Sequence, residues 1–324
     1  MPGLLSVVMP TYNGERYVGA AIESLLGQRD ADLELVVVDD GSSDGTVELV
    51  QRLTRGTPTR LLRPGRLGSW VAASNLGLRE ARGVWACFLH QDDLWLPGRL
   101  ARLRAELPTA RGALLLHHAR YVDPDGATLG DWRCPLPAGD LSPDDVLERL
   151  LVQNFVAMPS PAFRRAAALE QGGLDERLWF SADWDLWLRL AAAGPVRVLD
   201  ETLASFRLHP ESQTAARPVA AGEWSAQLGT VLDRHLAAWP VTGARRRRVE
   251  RAARASVAVN ASLAARARGA PAHLGPLLGQ LAALGPGGWR RYLRDSRLVE
   301  RVGARLRLRR RLAPSTSPRP TPRS

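Results

Sequence analysis

Asp92 and Asp93 stand side by side where the apolar run Cys87-Phe88-Leu89 gives way to His90-Gln91. Adjacent carboxylates at the carboxyl end of a buried strand repel each other unless a cation neutralises them. Oxygen ligands of this kind suit Mg2+ or Mn2+ bridging to a substrate phosphate. A plainer reading is a solvated turn that caps the chain before Pro97. A second carboxylate corner, Asp39-Asp40, follows the apolar residues 33–38, and a polar corner, Pro10-Thr11-Tyr12-Asn13, follows residues 4–9. Further on, Asp183 and Asp185 follow Ser181 at the start of a helical pattern. There Ser181 reads as the N-cap, and two carboxylates in the first turn suit the helix dipole.

These corners need a frame that brings them together. Residues 4–9, 33–38, 59–62 and 84–89 read as strands, and residues 15–28, about 44–53 and 68–81 as helices. Such alternation predicts a parallel sheet with right-handed crossovers, which puts three polar corners on one edge. Two carboxylate corners with an aromatic beside them suggest a nucleotide site. No G-x-G-x-x-G follows the first strand and no G-x-x-x-x-G-K occurs, so dinucleotide and P-loop readings fail.

The 324 residues suffice for one large domain or two, and 45% hydrophobic with 24% charged residues is the profile of a folded protein. All 44 basic residues are arginine, which excludes Schiff-base chemistry, pyridoxal phosphate and a Walker lysine. The two cysteines, Cys87 and Cys134, have no metal-knuckle spacing and fit a reducing compartment. No apolar run approaches the roughly 18 residues of a spanning helix, and no signal-peptide pattern opens the chain; a cytoplasmic location is expected. The net charge of +11 is concentrated in the last third, around Arg245-Arg246-Arg247-Arg248 and residues 305–311. Such a face suits an anionic membrane surface or nucleic acid. No basic motif interleaved with aromatics and no helix-turn-helix pattern occurs, so nucleic acid is not expected.

In order and spacing, Val7-Val8-Met9-Pro10-Thr11-Tyr12-Asn13, Val36-Val37-Val38-Asp39-Asp40-Gly41-Ser42-Ser43-Asp44-Gly45-Thr46 and Phe88-Leu89-His90-Gln91-Asp92-Asp93 resemble the successive motifs of inverting family 2 glycosyltransferases. Asn75 and Gly83 match as well, and the resemblance spans about residues 4–212. It implies a GT-A fold: a Rossmann-like, mostly parallel sheet flanked by helices, here with a C-terminal helical extension. It implies transfer of a sugar from a nucleotide-sugar donor to a sugar or lipid-linked acceptor, with Mg2+ or Mn2+. Pro10, Thr11, Tyr12, Asn13, Asp39, Asp40 and Asn75 would hold the nucleotide. Asp92, Asp93 and His209 would hold the cation, Gln91 and Arg207 would contact the donor diphosphate, and Asp183 would be the base. His90 and Ala182 depart from the family's usual carboxylates. They support the alternative of a catalytically degenerate nucleotide-sugar-binding module. As residues alone, Tyr12 could be a packed aromatic, Asp39 a cap, and Arg207 and His209 part of a solvated loop.

The chain divides into residues 1–110, the donor half; 111–212, the acceptor half; 213–312, a basic helical region; and 313–324, a disordered tail. In the acceptor half, residues 112–118 read as a strand and 121–129 as a hairpin around Asp123-Pro124-Asp125-Gly126. His117 and His118 read as structural. Pro159 and Pro161 confine residues 154–163 to an edge or loop. Residues 224–239, 244–268, 272–284 and 289–312 read as helices, the last with Leu293, Leu298, Val302, Leu306 and Leu308 among arginines. That basic amphipathic helix is expected to rest on an anionic membrane, or else to pack on the catalytic half.

Overall fold

The computed structural model describes residues 5–28, 33–217, 219–220, 222–267 and 274–312. β1 (Leu5–Thr11) and β2 (Leu33–Asp39) are buried along their whole length. Their runs are continuous rather than alternating because helices cover both faces of a parallel sheet. α1 (Glu15–Leu26), α2 (Thr46–Leu53), β3 (Thr59–Leu62), α3 (Trp70–Glu80) and β4 (Trp85–Phe88) complete the alternation. β1 pairs in parallel with β2 and β4, and β2 with β3. α3 lies directly on β1: a Cβ on Gly77 would meet Val8 Cγ1 at 2.4 Å.

Next come β5 (Leu94–Trp95), α4 (Arg99–Glu106), β6 (Leu114–Val122), β7 (Thr128–Trp132), β8 (Gly139–Leu141) and α5 (Pro143–Leu150). β9 (Ala162–Arg164), α6 (Arg165–Glu170), α7 (Ala182–Ala192) and β10 (Val196–Arg207) follow. The sheet order is β3-β2-β1-β4-β9-β6-β10-β5, with β7 on β6 and β8 on β10. β9 is antiparallel to both β4 and β6, and β6 is parallel to β10. Hence β1, β2, β4, β6 and β10 all end at one edge. The edge-or-loop expectation for residues 154–163 holds for 154–161, which are loop, and is corrected for 162–163, where β9 sits inside the sheet. It begins one residue after Pro161, so the ladder needs no proline N–H. The hairpin expected at 121–129 is β6–β7, and the Asp123 carboxylate closes its turn by accepting from the Asp125 and Ala127 amides at 3.1 and 2.8 Å. His118 Nε2 pairs with Asp200 at 2.8 Å and His117 Nδ1 meets the His118 carbonyl at 2.7 Å, both structural contacts.

The C-terminal helices are α8 (Gln213–Ala216), α9 (Glu223–Ala238), α10 (Gly243–Ala267), α11 (Leu274–Ala282), α12 (Gly285–Ser296) and α13 (Leu298–Leu312). The single helix expected over 289–312 is broken at Arg297, which takes a left-handed φ of 50°. The tail expected beyond residue 312 lies outside the described residues. α9, α10 and α12 share the main core: Leu232, Trp239, Ala253 and Tyr292 are buried in one cluster with Phe88 and Trp187. Asp185, fully buried on α7, clips α9 in place. It accepts from Arg189 Nε at 2.9 Å, Arg234 Nη1 at 2.7 Å and His235 Nε2 at 2.9 Å.

Candidate active site

The ends of β1 and β2 form one corner. Thr11 Oγ1 donates to Asp39 Oδ1 at 3.1 Å, and the Ser42 amide donates to Asp39 Oδ2 at 3.0 Å. Asn13, at φ 45°, holds this turn by donating to Ser42 Oγ at 2.9 Å and accepting from the Ser43 amide at 2.8 Å. Pro10 is buried in β1, in register with Val38. Gln91 clamps the Tyr12 backbone: its Oε1 accepts from the Tyr12 amide at 2.8 Å and its Nε2 donates to the Tyr12 carbonyl at 3.1 Å. Asp40 anchors the 66–68 loop through Arg66 Nη1 at 2.5 Å and the Gly68 amide at 3.1 Å. That loop lays the Arg66 guanidinium 3.6 Å over the ring of Tyr12, which is 36% exposed. An aromatic plate under a flat guanidinium is suited to stacking a heterocyclic base. Sequence reading missed Arg66; its signal was an arginine inside the glycine-rich run 63–68. Asn75 faces elsewhere than expected. Its amide donates to the Leu174 carbonyl and to Glu176 at 2.9 Å each, tying α3 to the loop before α7.

The ends of β4 and β10 form the second corner. His209 Nε2 meets Asp92 Oδ2 at 2.8 Å, and its Nδ1 meets Glu211 at 3.0 Å. Burial opposes ionisation of Asp92, but the His209 hydrogen bond and the nearby imidazoles outweigh it and hold the carboxyl below its ordinary range. Asp93 does not share this corner: it is 1% exposed, and its Oδ1 accepts from the Arg207 amide at 3.0 Å. Burial and the neighbouring Asp92 charge push the Asp93 carboxyl well above its ordinary range. Its Oδ2 is buried without a hydrogen-bond partner. Arg207 is buried and turned to the fold. Its guanidinium donates to the carbonyls of Asp92 at 2.8 Å, Asp123 at 3.0 Å and Pro124 at 2.7 Å, tying together the ends of β4, β6 and β10. Among the described residues, no three His, Cys, Asp or Glu side chains form a ready-made metal group. Asp92 and His209 supply a carboxylate and an imidazole. That pair fits a hard cation that takes its remaining ligands from phosphate and water.

The third part is Asp183, half-buried in the first turn of α7. The Ser181 hydroxyl does not cap this helix; it is buried without a partner. Asp183 Oδ1 accepts from the Trp184 amide at 2.7 Å, and Oδ2 from Asn154 Nδ2 at 2.9 Å. Burial, opposed by these two bonds, pushes its carboxyl up to about 6. No cation pairs with it among the described residues. A carboxylate titrating near neutrality, with no competing cation, is suited to proton abstraction. Asn154 was not foreseen from sequence. It is held from the C-terminal side: Gln153 Nε2 donates to the Asn154 carbonyl at 3.1 Å, and Gln153 Oε1 accepts from Asn260 on α10 at 2.8 Å. Arg301 on α13 donates to Asn260 Oδ1 at 2.6 Å.

Residues 6–137 match the family model described as Glycosyl transferase family 2. An uncharacterized protein of Mycobacterium tuberculosis (strain CDC 1551 / Oshkosh) is 32% identical over 231 residues, 67% of this chain and 70% of that protein. The fold is similar to S. aureus TarS 1-349 in complex with UDP-GlcNAc, with TM-score 0.68 and 17% identity over 94% of this chain and 89% of the other. It is also similar to a Pyrobaculum calidifontis mannosyltransferase in complex with GDP-Man and Mn2+, with TM-score 0.53 and 18% identity over 95% and 87% of the two chains. Both likenesses speak to the fold, which is GT-A.

Proposed function

We propose, from the family 2 glycosyl transferase model matched over residues 6–137, that the chain transfers a hexosyl group from a nucleotide-diphospho-sugar to an acceptor hydroxyl. The transfer inverts the anomeric centre and depends on a divalent cation. One observation carries this reading. Asp92, hydrogen-bonded to His209, follows β4 at the carboxyl edge of the sheet with its carboxyl held low, while Asp183 has no cation partner among the described residues and its carboxyl is pushed up to about 6. Two carboxyls pushed apart in this way divide the work of charge binding and proton transfer.

In this mechanism Tyr12 and Arg66 stack the base, Thr11 and Asp39 present hydrogen-bonding groups to it, and Asp40 keeps the Arg66 loop in place. Mg2+ or Mn2+ held by Asp92 and His209 would neutralise charge on the donor diphosphate. Asp183 takes the proton from the acceptor hydroxyl. The acceptor oxygen then bonds to the anomeric carbon from the face opposite the diphosphate. The bond between that carbon and the diphosphate oxygen breaks, and its electron pair leaves on the nucleotide diphosphate. Asn154 holds Oδ2 of Asp183, which fixes the direction in which the base points. The neighbours solved with UDP-GlcNAc and with GDP-Man and Mn2+ support a nucleotide-sugar donor and a divalent cation. Cell-surface polysaccharide or glycolipid synthesis at the cytoplasmic side of the membrane is the setting such a reaction fits.

The test is a panel of nucleotide-sugars with sugar acceptors, with Mn2+ or with EDTA, read by nucleotide release and by NMR of the product. Cation-dependent release and a product of opposite anomeric configuration to the donor are expected. Retained configuration, or full activity in EDTA, overturns the mechanism. Cation-dependent nucleotide binding without turnover on any donor favours the degenerate binding module.

A further inference from the structure

α13 has two faces. Ala304 is buried against Tyr121 and Leu129 on the β6–β7 hairpin, with Leu308 packed beside them. Arg297 Nε donates to the Arg133 carbonyl at 3.3 Å just before the helix. Arg307 Nε donates to the Leu129 carbonyl, and Arg311 Nη1 reaches the Asp123 carboxylate in the last turn. The helix therefore runs along β7 and ends beside Asp123, at the edge that carries Asp92 and His209. The other face is turned to solvent. Val299 is 69% and Leu306 50% exposed. They lie seven residues apart, on one stripe of the helix, with Val302 between them. Arg309 and Arg310 are exposed and flank this stripe, whereas Arg305 turns to the Arg301 carbonyl and to Tyr121. Neither Arg309 nor Arg310 has a carboxylate partner among the described residues. Leu312, 53% exposed, closes the same end.

We propose that this outward face of α13 docks on an anionic lipid bilayer and brings the active edge to a lipid-linked acceptor. The inference deepens the transferase reading and rests on it for the acceptor. An apolar stripe flanked by arginines is the pattern of an interfacial helix: the aliphatic side chains enter the acyl boundary and the guanidiniums meet lipid phosphates. A second copy of the chain fits the face less well. A two-fold pairing would bring Arg309 and Arg310 against their own counterparts with no acid between them. Nucleic acid would use the arginines and leave the stripe of Val299, Val302 and Leu306 unexplained, because phosphate contacts need no apolar centre.

Flotation of the full chain with vesicles tests this, comparing phosphatidylglycerol in phosphatidylcholine with phosphatidylcholine alone. Binding to the anionic vesicles only is expected, with loss at high salt. Replacing Arg309 and Arg310 by alanine should weaken binding roughly 25-fold, since each arginine near such a surface accounts for roughly fivefold. Val299→Glu with Leu306→Glu should abolish it. Both variants should keep the wild-type melting temperature and nucleotide affinity, which separates docking from folding. No flotation at low salt, binding to neutral vesicles alone, or flotation unchanged in both variants overturns the proposal. Dimerisation lost in Leu306→Glu without vesicle binding assigns the face to a second copy, and duplex DNA binding without vesicle binding assigns it to nucleic acid. Vesicle binding is read without donor or turnover, so a failed transferase reading leaves this result standing, and the reverse.

Discussion

Asp183 and Asp185 sit two residues apart in the first turn of one helix and carry opposite electrostatics. Burial is the largest influence on both. In Asp185 the His235 hydrogen bond and the Arg189 and Arg234 charges overcome it and hold the carboxyl low. In Asp183 only hydrogen bonds, from Trp184, Asn154 and its own backbone, oppose it, and the carboxyl rises to about 6. Asp183→Asn should therefore lose on the order of 10²–10⁴-fold in kcat while keeping nucleotide affinity. In the wild type, kcat should climb with pH through a limb near about 6, and the limb should vanish in the variant. Stability carries its own signature. A carboxyl whose folded pKa is raised binds an extra proton in the folded state, so stability falls as pH rises through that window. Asn removes the buried charge, so the variant should be more stable than wild type by about 1–2 kcal/mol near pH 8, with the gain gone near pH 4. Denaturant titrations at both pH values check this. At the other corner, Asp92→Ala should weaken Mn2+-dependent UDP binding on the order of tenfold or more. Equal affinity by calorimetry would move the cation elsewhere.

At the scale of elements, the same chemical change two residues along has the reverse sign. Asp185→Asn leaves Arg189, Arg234 and His235 crowded without their buried anion, and should destabilise the chain by about 3–5 kcal/mol. Denaturant midpoints measured beside those of Asp183→Asn show whether the signs differ; equal shifts would mean that the α7–α9 clip does not hold. A further element is the segment around Asn154, reached from α13 and α10 through Arg301, Asn260 and Gln153. Asn154→Ala removes the one side-chain bond among those that keep the Asp183 pKa down. Its acid limb in kcat should move to higher pH while donor affinity stays constant. A limb that does not move would make Asn154 a packing residue only.

The element scale also shows what sequence can carry. β1 to β4 and α1 to α3 were legible because each pattern is local: an apolar run, a polar corner, a helical period. β9 was not, since three residues bear no period and its central place comes from the partners on either side. α4 reads as a charged stretch with only Leu100 and Leu103 to turn inward. The break at Arg297 has no glycine or proline to announce it. In the site, Asp39, Asp92 and His209 lay at motif positions and stand at or just after the ends of β2, β4 and β10, and Asp183 stands in the first turn of α7. Arg66 and Asn154 escaped notice because loops distant in sequence return across the sheet to place them. Asn75, Asp93 and Arg207 stand at motif positions too, but only their partners decide whether they face a ligand or the fold.

For the whole molecule, the question is whether the C-terminal helices are an appendage or part of the core. Leu228, Val231, Leu232, Leu236, Trp239 and Tyr292 are buried in the same cluster as Val8, Phe88 and Trp187. Each such side chain accounts for roughly 1.5–3 kcal/mol of burial. Six of them together amount to roughly 9–18 kcal/mol of gross burial, comparable with the roughly 5–15 kcal/mol of net stability of a folded chain. The same helices supply partners to groups of the sheet half: Arg245 and Arg291 pair with Glu148 at 2.8 and 2.9 Å, and Ser256 donates to Gln153 at 2.9 Å. A chain ending near residue 220 would expose that apolar surface and leave Asp185, Glu148 and Gln153 facing partners that are gone. It should be insoluble, or soluble only in a form that binds a hydrophobic dye and shows no sharp transition. The full chain should instead melt once, with calorimetry and circular dichroism reporting the same midpoint. Two separated transitions, or a truncated chain that melts cooperatively and binds UDP with wild-type affinity, would make the helices an independent unit. The route from Arg301 to Asp183 would then have no bearing on the base.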